Sequence, residues 1–101
     1  MAESRKLTSL SSVKYGALTV IETKNAPVML CNVEGEIYAT TAICAHAGAN
    51  LGEGTLSGRD ITCPFHGWKF DVTTGDCSNT PGARIETYPV EIRGGDIYVT
   101  V

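Results

Sequence analysis

No apolar run in the chain approaches the roughly 18 residues of a membrane-spanning helix, and only two histidines and one tryptophan occur in 101 residues. Basic residues are also few, with 8 Lys and Arg against 11 Asp and Glu and a formal charge of -3. Nucleic-acid binding therefore has no electrostatic basis. No GxGxxG fingerprint is present, so a nucleotide substrate would have to be handled by another protein. Arg5 and Lys6 are followed by Thr8, Ser9, Ser11 and Ser12 rather than by the apolar core of a signal peptide. The expectation is a soluble cytoplasmic protein. At this length one domain, 1–101, is expected, with no internal repeat, low-complexity tract or linker.

What is present reads as all-β. Short apolar segments recur between turn residues, and no stretch sustains a 3.6-residue period. Leu18 to Glu22 and Val28 to Val33 are expected strands joined through Lys24-Asn25-Ala26-Pro27, and Glu34-Gly35 turns the chain into Glu36 to Thr40. Tyr88 to Arg93 and Asp96 to Val101 flank Gly94-Gly95, a pair suited to the positive φ angles of a two-residue hairpin. Ile97 and Val99 alternate with Tyr98 and Thr100, as one buried face requires. Shorter strands are expected near Ile61-Thr62 and Lys69 to Asp71, within a segment of about 42–82.

That segment holds both histidines, each close to a cysteine: Cys44-Ala45-His46 and Cys63-Pro64-Phe65-His66, separated by sixteen residues. Two thiolates and two imidazoles suit zinc or an iron-sulfur cluster. Structural zinc modules usually pair Cys with Cys and His with His. Here each half donates one of each, which suits a two-metal cluster whose irons share the two loops. A zinc-stabilised interaction module stays open on the residues alone.

Cys44-Ala45-His46-Ala47-Gly48-Ala49 and Cys63-Pro64-Phe65-His66-Gly67-Trp68 resemble the two cluster-binding boxes of Rieske proteins, most closely the small ferredoxins of oxygenase systems. The resemblance runs from about Leu7 to the C-terminus and takes in the Gly75-Asp76-Cys77 turn and a Pro81-Gly82 segment like the family's proline loop. It implies an antiparallel β-sandwich with a small cluster-binding subdomain, and one [2Fe-2S] cluster. Cys44 and Cys63 would bind one iron and His46 and His66 the other. In so small a domain the cluster should add to folding free energy, leaving the apo-protein loose around both loops.

High-potential Rieske proteins carry a further cysteine in each box; the matching positions here are Ala49 and Pro64 or Phe65, so no bridge is expected. They also place Ser and Tyr after the second histidine, donating hydrogen bonds to cluster sulfurs. Trp68 and Phe70 stand at those places, and two missing donors lower the potential. Cys31, within the apolar Val28-Met29-Leu30-Cys31 run, is expected in the core. Cys77 is expected as a partly exposed free thiol.

The resemblance thus implies a low-potential one-electron carrier, not an enzyme, passing electrons from an NAD(P)H-linked reductase to a terminal oxygenase. Docking is expected to be transient and near His46 and His66, the exposed edge of the cluster in the family. Imidazole ligation also implies a midpoint potential that falls with rising pH in the alkaline range. A ring-hydroxylating oxygenase needs a further iron on two histidines and a carboxylate, and none is left over. The alternative redox reading is a small Rieske-like subunit of an assimilatory nitrite reductase. Glu34, Glu36, Asp71 and Asp76 read as a solvated surface rather than a steering patch.

Overall fold

The computed structural model describes residues 4–24, 26–44, 48–65 and 67–101. Among the described residues, ten strands form three antiparallel sheets: β1 (Ser4–Ser9), β10 (Asp96–Thr100) and β9 (Val90–Arg93) in one; β2 (Leu18–Glu22), β3 (Pro27–Val33), β4 (Glu36–Thr41) and β8 (Thr87–Tyr88) in the second; β5 (Thr55–Ser57), β6 (Asp60–Thr62) and β7 (Lys69–Asp71) in the third. Leu10–Ser12 and Leu51–Glu53 are single 3-10 turns. Among the described residues, no helix is long and apolar enough to cross a membrane.

The second sheet is the middle layer, which explains the unbroken apolar run of β3. Val28 and Leu30 pack with Ile37, Ala39, Ile97 and Val99 on the side of the β1-β10-β9 sheet. Met29 and Cys31, pointing the other way along the same strand, pack with Leu51, Ile61, Phe70, Val72 and Ile85 on the side of the third sheet. A strand covered on both faces cannot alternate apolar with polar. Its one polar core residue, Asn32, is satisfied: Nδ2 donates to the Val13 carbonyl at 3.0 Å, and Oδ1 accepts from the Gly35 amide at 2.9 Å.

Several expectations are corrected. The polar N-terminal stretch, for which no strand was expected, forms β1. It pairs with β10 from Ser4↔Thr100 to Ser9↔Asp96, an edge position that tolerates its hydrophilic sequence. Pro27 opens β3 rather than belonging to the preceding turn, a place where its missing N–H breaks no interior ladder. The expected strand Tyr88 to Arg93 is two strands. Pro89 cannot donate to a ladder, and at this residue the chain leaves β4, where Tyr88 pairs with Ala39, to join β10, where Val90 pairs with Val99. Gly94-Gly95 does form the two-residue turn, at φ 57° and 81°, and Ile97 and Val99 are fully buried.

Glu34 is the one described non-glycine residue at positive φ, at 53°, in the two-residue β3–β4 turn with Gly35 at 92°. Left-handed backbone costs an ordinary L-residue about 1 kcal/mol, and Asn tolerates it best after Gly. Glu34→Asn is therefore expected to raise stability by up to about 1 kcal/mol, read as a higher urea midpoint at unchanged m-value.

Cys31 lies in the middle layer, and burial pushes its thiol up to about 12 from an ordinary value of 9.0. The folded state thus holds a proton that the unfolded chain releases. The stability this contributes is complete below pH 9 and is lost as pH rises towards 12. Urea titrations across that range should show a steeper alkaline loss for the native chain than for Cys31→Val, by about one proton. Equal slopes would contradict the burial argument.

Candidate metal centre

Both cysteine boxes are hairpin loops of the same length. In the first, Ile43 bridges Asn50, and the Cys44 amide then donates to the Ala49 carbonyl at 2.8 Å across the loop 45–48. In the second, Thr62 pairs with Lys69, and the Cys63 amide donates to the Trp68 carbonyl at 2.7 Å across the loop 64–67. Each loop ends on a left-handed glycine, Gly48 at φ 66° and Gly67 at φ 69°, the conformation that lets a short loop re-enter its strand. The unequal spacings Cys-x-His and Cys-x-x-His conceal this equality. The histidines stand at the second and third places of otherwise equivalent loops.

The two hairpins bring Cys44 and Cys63 together. Both are buried, at 1% and 2% exposure, in the core shared with Phe70 and Leu51, and the Cys44 thiol lies close enough to Cys63 to shift its ionisation. Burial, then the Cys44 thiol, pushes the Cys63 thiol above the ordinary cysteine range, partly opposed by the Phe65 backbone. Two buried thiols packed in one core, each at the start of a hairpin loop, are donors that one iron can take. The residues therefore fit the group. His46 and His66 lie outside the described residues. Among the described residues, no group of three or more His, Cys, Asp or Glu could hold a metal ion.

The other positions singled out in the sequence divide by burial. Ala49 is buried while Phe65 is 55% exposed. Trp68 and Phe70 lie 6.4 Å apart, their rings tilted at 50°, with Phe70 wholly buried and Trp68 packed against the same core. Both aromatics thus serve packing, as an i, i+2 pair on one face should. Cys77 is half-buried and donates its thiol hydrogen to Asn79 Oδ1 at 3.3 Å. At Gly54 a side chain would collide with the Thr62 carbonyl, so the approach to β6 demands glycine. Of the acidic residues, Asp71 pairs with Arg59 at 3.1 Å and accepts from the Thr73 amide at 2.8 Å, and Glu36 accepts from the Tyr38 hydroxyl at 3.0 Å. Asn79 was missed, although a carboxamide two residues beyond Cys77 and two before Pro81 was available as a signal.

Two equal loops, each led by a buried cysteine and ending on a left-handed glycine, make a candidate metal-binding domain. The family model for the Rieske [2Fe-2S] domain matches residues 4–89, and the chain belongs to that family. It is 42% identical over 84 residues, 82% of this chain and 81% of the relative, to the ferredoxin component of naphthalene 1,2-dioxygenase/salicylate 5-hydroxylase systems of Ralstonia sp. The solved Sphingomonas yanoikuyae B1 ferredoxin is 34% identical and superimposes with a TM-score of 0.91, covering 98% of this chain and 99% of that one. A chain from the complex of reduced oxygenase and oxidized ferredoxin in carbazole 1,9a-dioxygenase is also 34% identical. It gives a TM-score of 0.90 over 96% of this chain and 92% of that one. The chain is an electron-transfer protein carrying one Rieske-type [2Fe-2S] cluster, rather than an enzyme.

Proposed function

We propose that Cys44 and Cys63 bind one iron of the cluster and His46 and His66 the other, and that the whole chain forms one domain whose segment of about 42–82 is the cluster-binding subdomain. The observation that carries the assignment is the meeting of the two buried thiols at the base of two equivalent hairpin loops. The cluster supplies one-electron storage. The chain's own residues hold it, bury its sulfur side and leave the loop tips as the route out.

The proposed role is electron transfer, in the cytoplasm, from an NAD(P)H-linked reductase to a terminal oxygenase. Relatives named as components of dioxygenase systems support this reading. Docking is placed at the loop tips near His46 and His66. Ile43, directly before Cys44, and Phe65, directly before His66, are 41% and 55% exposed. Large apolar side chains left in solvent beside both boxes suit a small, transient interface.

The test replaces the ferredoxin of a reconstituted naphthalene 1,2-dioxygenase system with this protein. NADH-dependent product formation that requires the chain is the expected result. A holo-protein that the reductase cannot reduce, and that cannot reduce the oxygenase after chemical reduction, would contradict the assignment.

A further inference from the structure

The return arm of the second loop, Gly67-Trp68-Lys69, is held on one edge by the bond from the Cys63 amide to the Trp68 carbonyl. Its other edge runs beside the segment that follows the Thr74-Gly75 turn. There Phe70 bridges Cys77, and the Ser78 amide donates to the Lys69 carbonyl at 2.8 Å. Continuing that ladder would need backbone partners for the Lys69 amide, the other half of the same pair, and for the Gly67 carbonyl in the pair after it. None is supplied by backbone, because the chain leaves through Thr80-Pro81-Gly82, closing with bonds from the Ala83 amide to the Thr80 carbonyl and from the Cys77 amide to the Ala83 carbonyl.

Asn79 supplies both partners with its side chain. Oδ1 accepts from the Lys69 amide at 3.0 Å, and Nδ2 donates to the Gly67 carbonyl at 3.0 Å. Bonding the carbonyl of one residue and the amide of the residue two further on is what a residue does in a parallel strand pair, so the carboxamide stands in for a length of backbone. The Cys77 thiol donates to the same Oδ1. A carboxamide is the smallest neutral group offering donor and acceptor at that spacing. Gly67 directly follows His66, and as a left-handed glycine it has the widest choice of alternative backbone conformations. A clamp on its carbonyl fixes the Gly67–Trp68 peptide and so limits the chain immediately after the histidine.

We propose that Asn79 is a positioning residue for the second ligand loop: by pairing with Gly67 and Lys69 it fixes the direction from which the His66 imidazole meets its iron, and it ties the Pro81-Gly82 turn to the same loop. The proposal rests on His66 being a ligand. Loss of the clamp frees Gly67, so the imidazole samples several orientations and the cluster is held less firmly. Asn79→Asp separates the two halves of the clamp. It keeps the acceptor for Lys69 but removes the donor to Gly67 and sets a carboxylate against that carbonyl.

The experiment uses holo-protein of the native chain, Asn79→Ala and Asn79→Asp. It measures the EPR spectrum of the dithionite-reduced state, the midpoint potential, and the rate at which a chelator bleaches the cluster. For Asn79→Ala, g-values shifted or broadened from native, a displaced midpoint, and release faster by roughly fivefold, the kinetic equivalent of one lost hydrogen bond, are expected. Asn79→Asp should show the altered g-values too, because the Gly67 bond is the one that matters. Lower melting temperatures with native g-values and midpoints in both variants would overturn the proposal, reducing Asn79 to a turn-stabilising residue. A native protein without imidazole nitrogen coupling would instead refute the ligand assignment itself, whatever the variants show.

Discussion

Cys63→Ser is expected to purify as a colourless protein with its sheets intact. A serine hydroxyl is a harder donor that is far more difficult to deprotonate than a thiol, and soft thiolates are what hold iron-sulfur clusters. The position tolerates no substitute from nearby, since Cys31 faces the same core from the middle layer with its thiol held neutral and Cys77 is engaged by Asn79. The fold should survive because the loops are closed by their own backbone bonds, and because the second core, around Val28, Leu30, Ile97 and Val99, contains no ligand. Visible absorption and iron content measure the loss, and far-ultraviolet circular dichroism measures the retained fold. A variant that keeps its colour and its iron would remove Cys63 from the ligand set.

The second large effect is on the reduction potential. The midpoint of the native chain is expected towards the bottom of the Rieske range, roughly -150 mV. Phe70 stands where high-potential relatives place a tyrosine, and it is wholly buried in the core that contains both cysteines. A hydroxyl there would enter the packed cluster that holds both cysteines, and a donor to sulfur stabilises the extra charge of the reduced state. Phe70→Tyr should raise the midpoint by roughly 50 mV, the one-electron equivalent of about 1 kcal/mol for one hydrogen bond. His66→Cys acts in the opposite direction. A thiolate in place of a neutral imidazole adds negative charge to the centre, and the potential should fall towards the roughly -400 mV of all-cysteine plant-type ferredoxins. A clearly positive native midpoint would contradict the argument from missing donors.

Much of this was legible in the residues because the relevant signals are local. The apolar run of β3, the Gly94-Gly95 turn and the alternation of Ile97 and Val99 each translate directly into a strand or a hairpin. The cysteine and histidine boxes are visible because this chain has so few histidines. Other features needed three dimensions. β1 is polar, and only its pairing with β10 makes it a strand. Pro89 reads as an interruption, but that it marks a change of sheet depends on two partners distant in sequence, β4 and β10. The equality of the two ligand loops is hidden by the unequal Cys-to-His spacing, and the role of Asn79 by the ten residues separating it from Lys69.

The central claim is that two thiolates and two imidazoles from equivalent loops share one [2Fe-2S] centre. Pulsed EPR of the dithionite-reduced protein, resolving nitrogen couplings to the cluster spin, tests it most directly. Two strongly coupled imidazole nitrogens are predicted for the native chain, and one for His66→Cys. A reduced centre without imidazole coupling, or a colourless zinc protein that gives no signal, would contradict it.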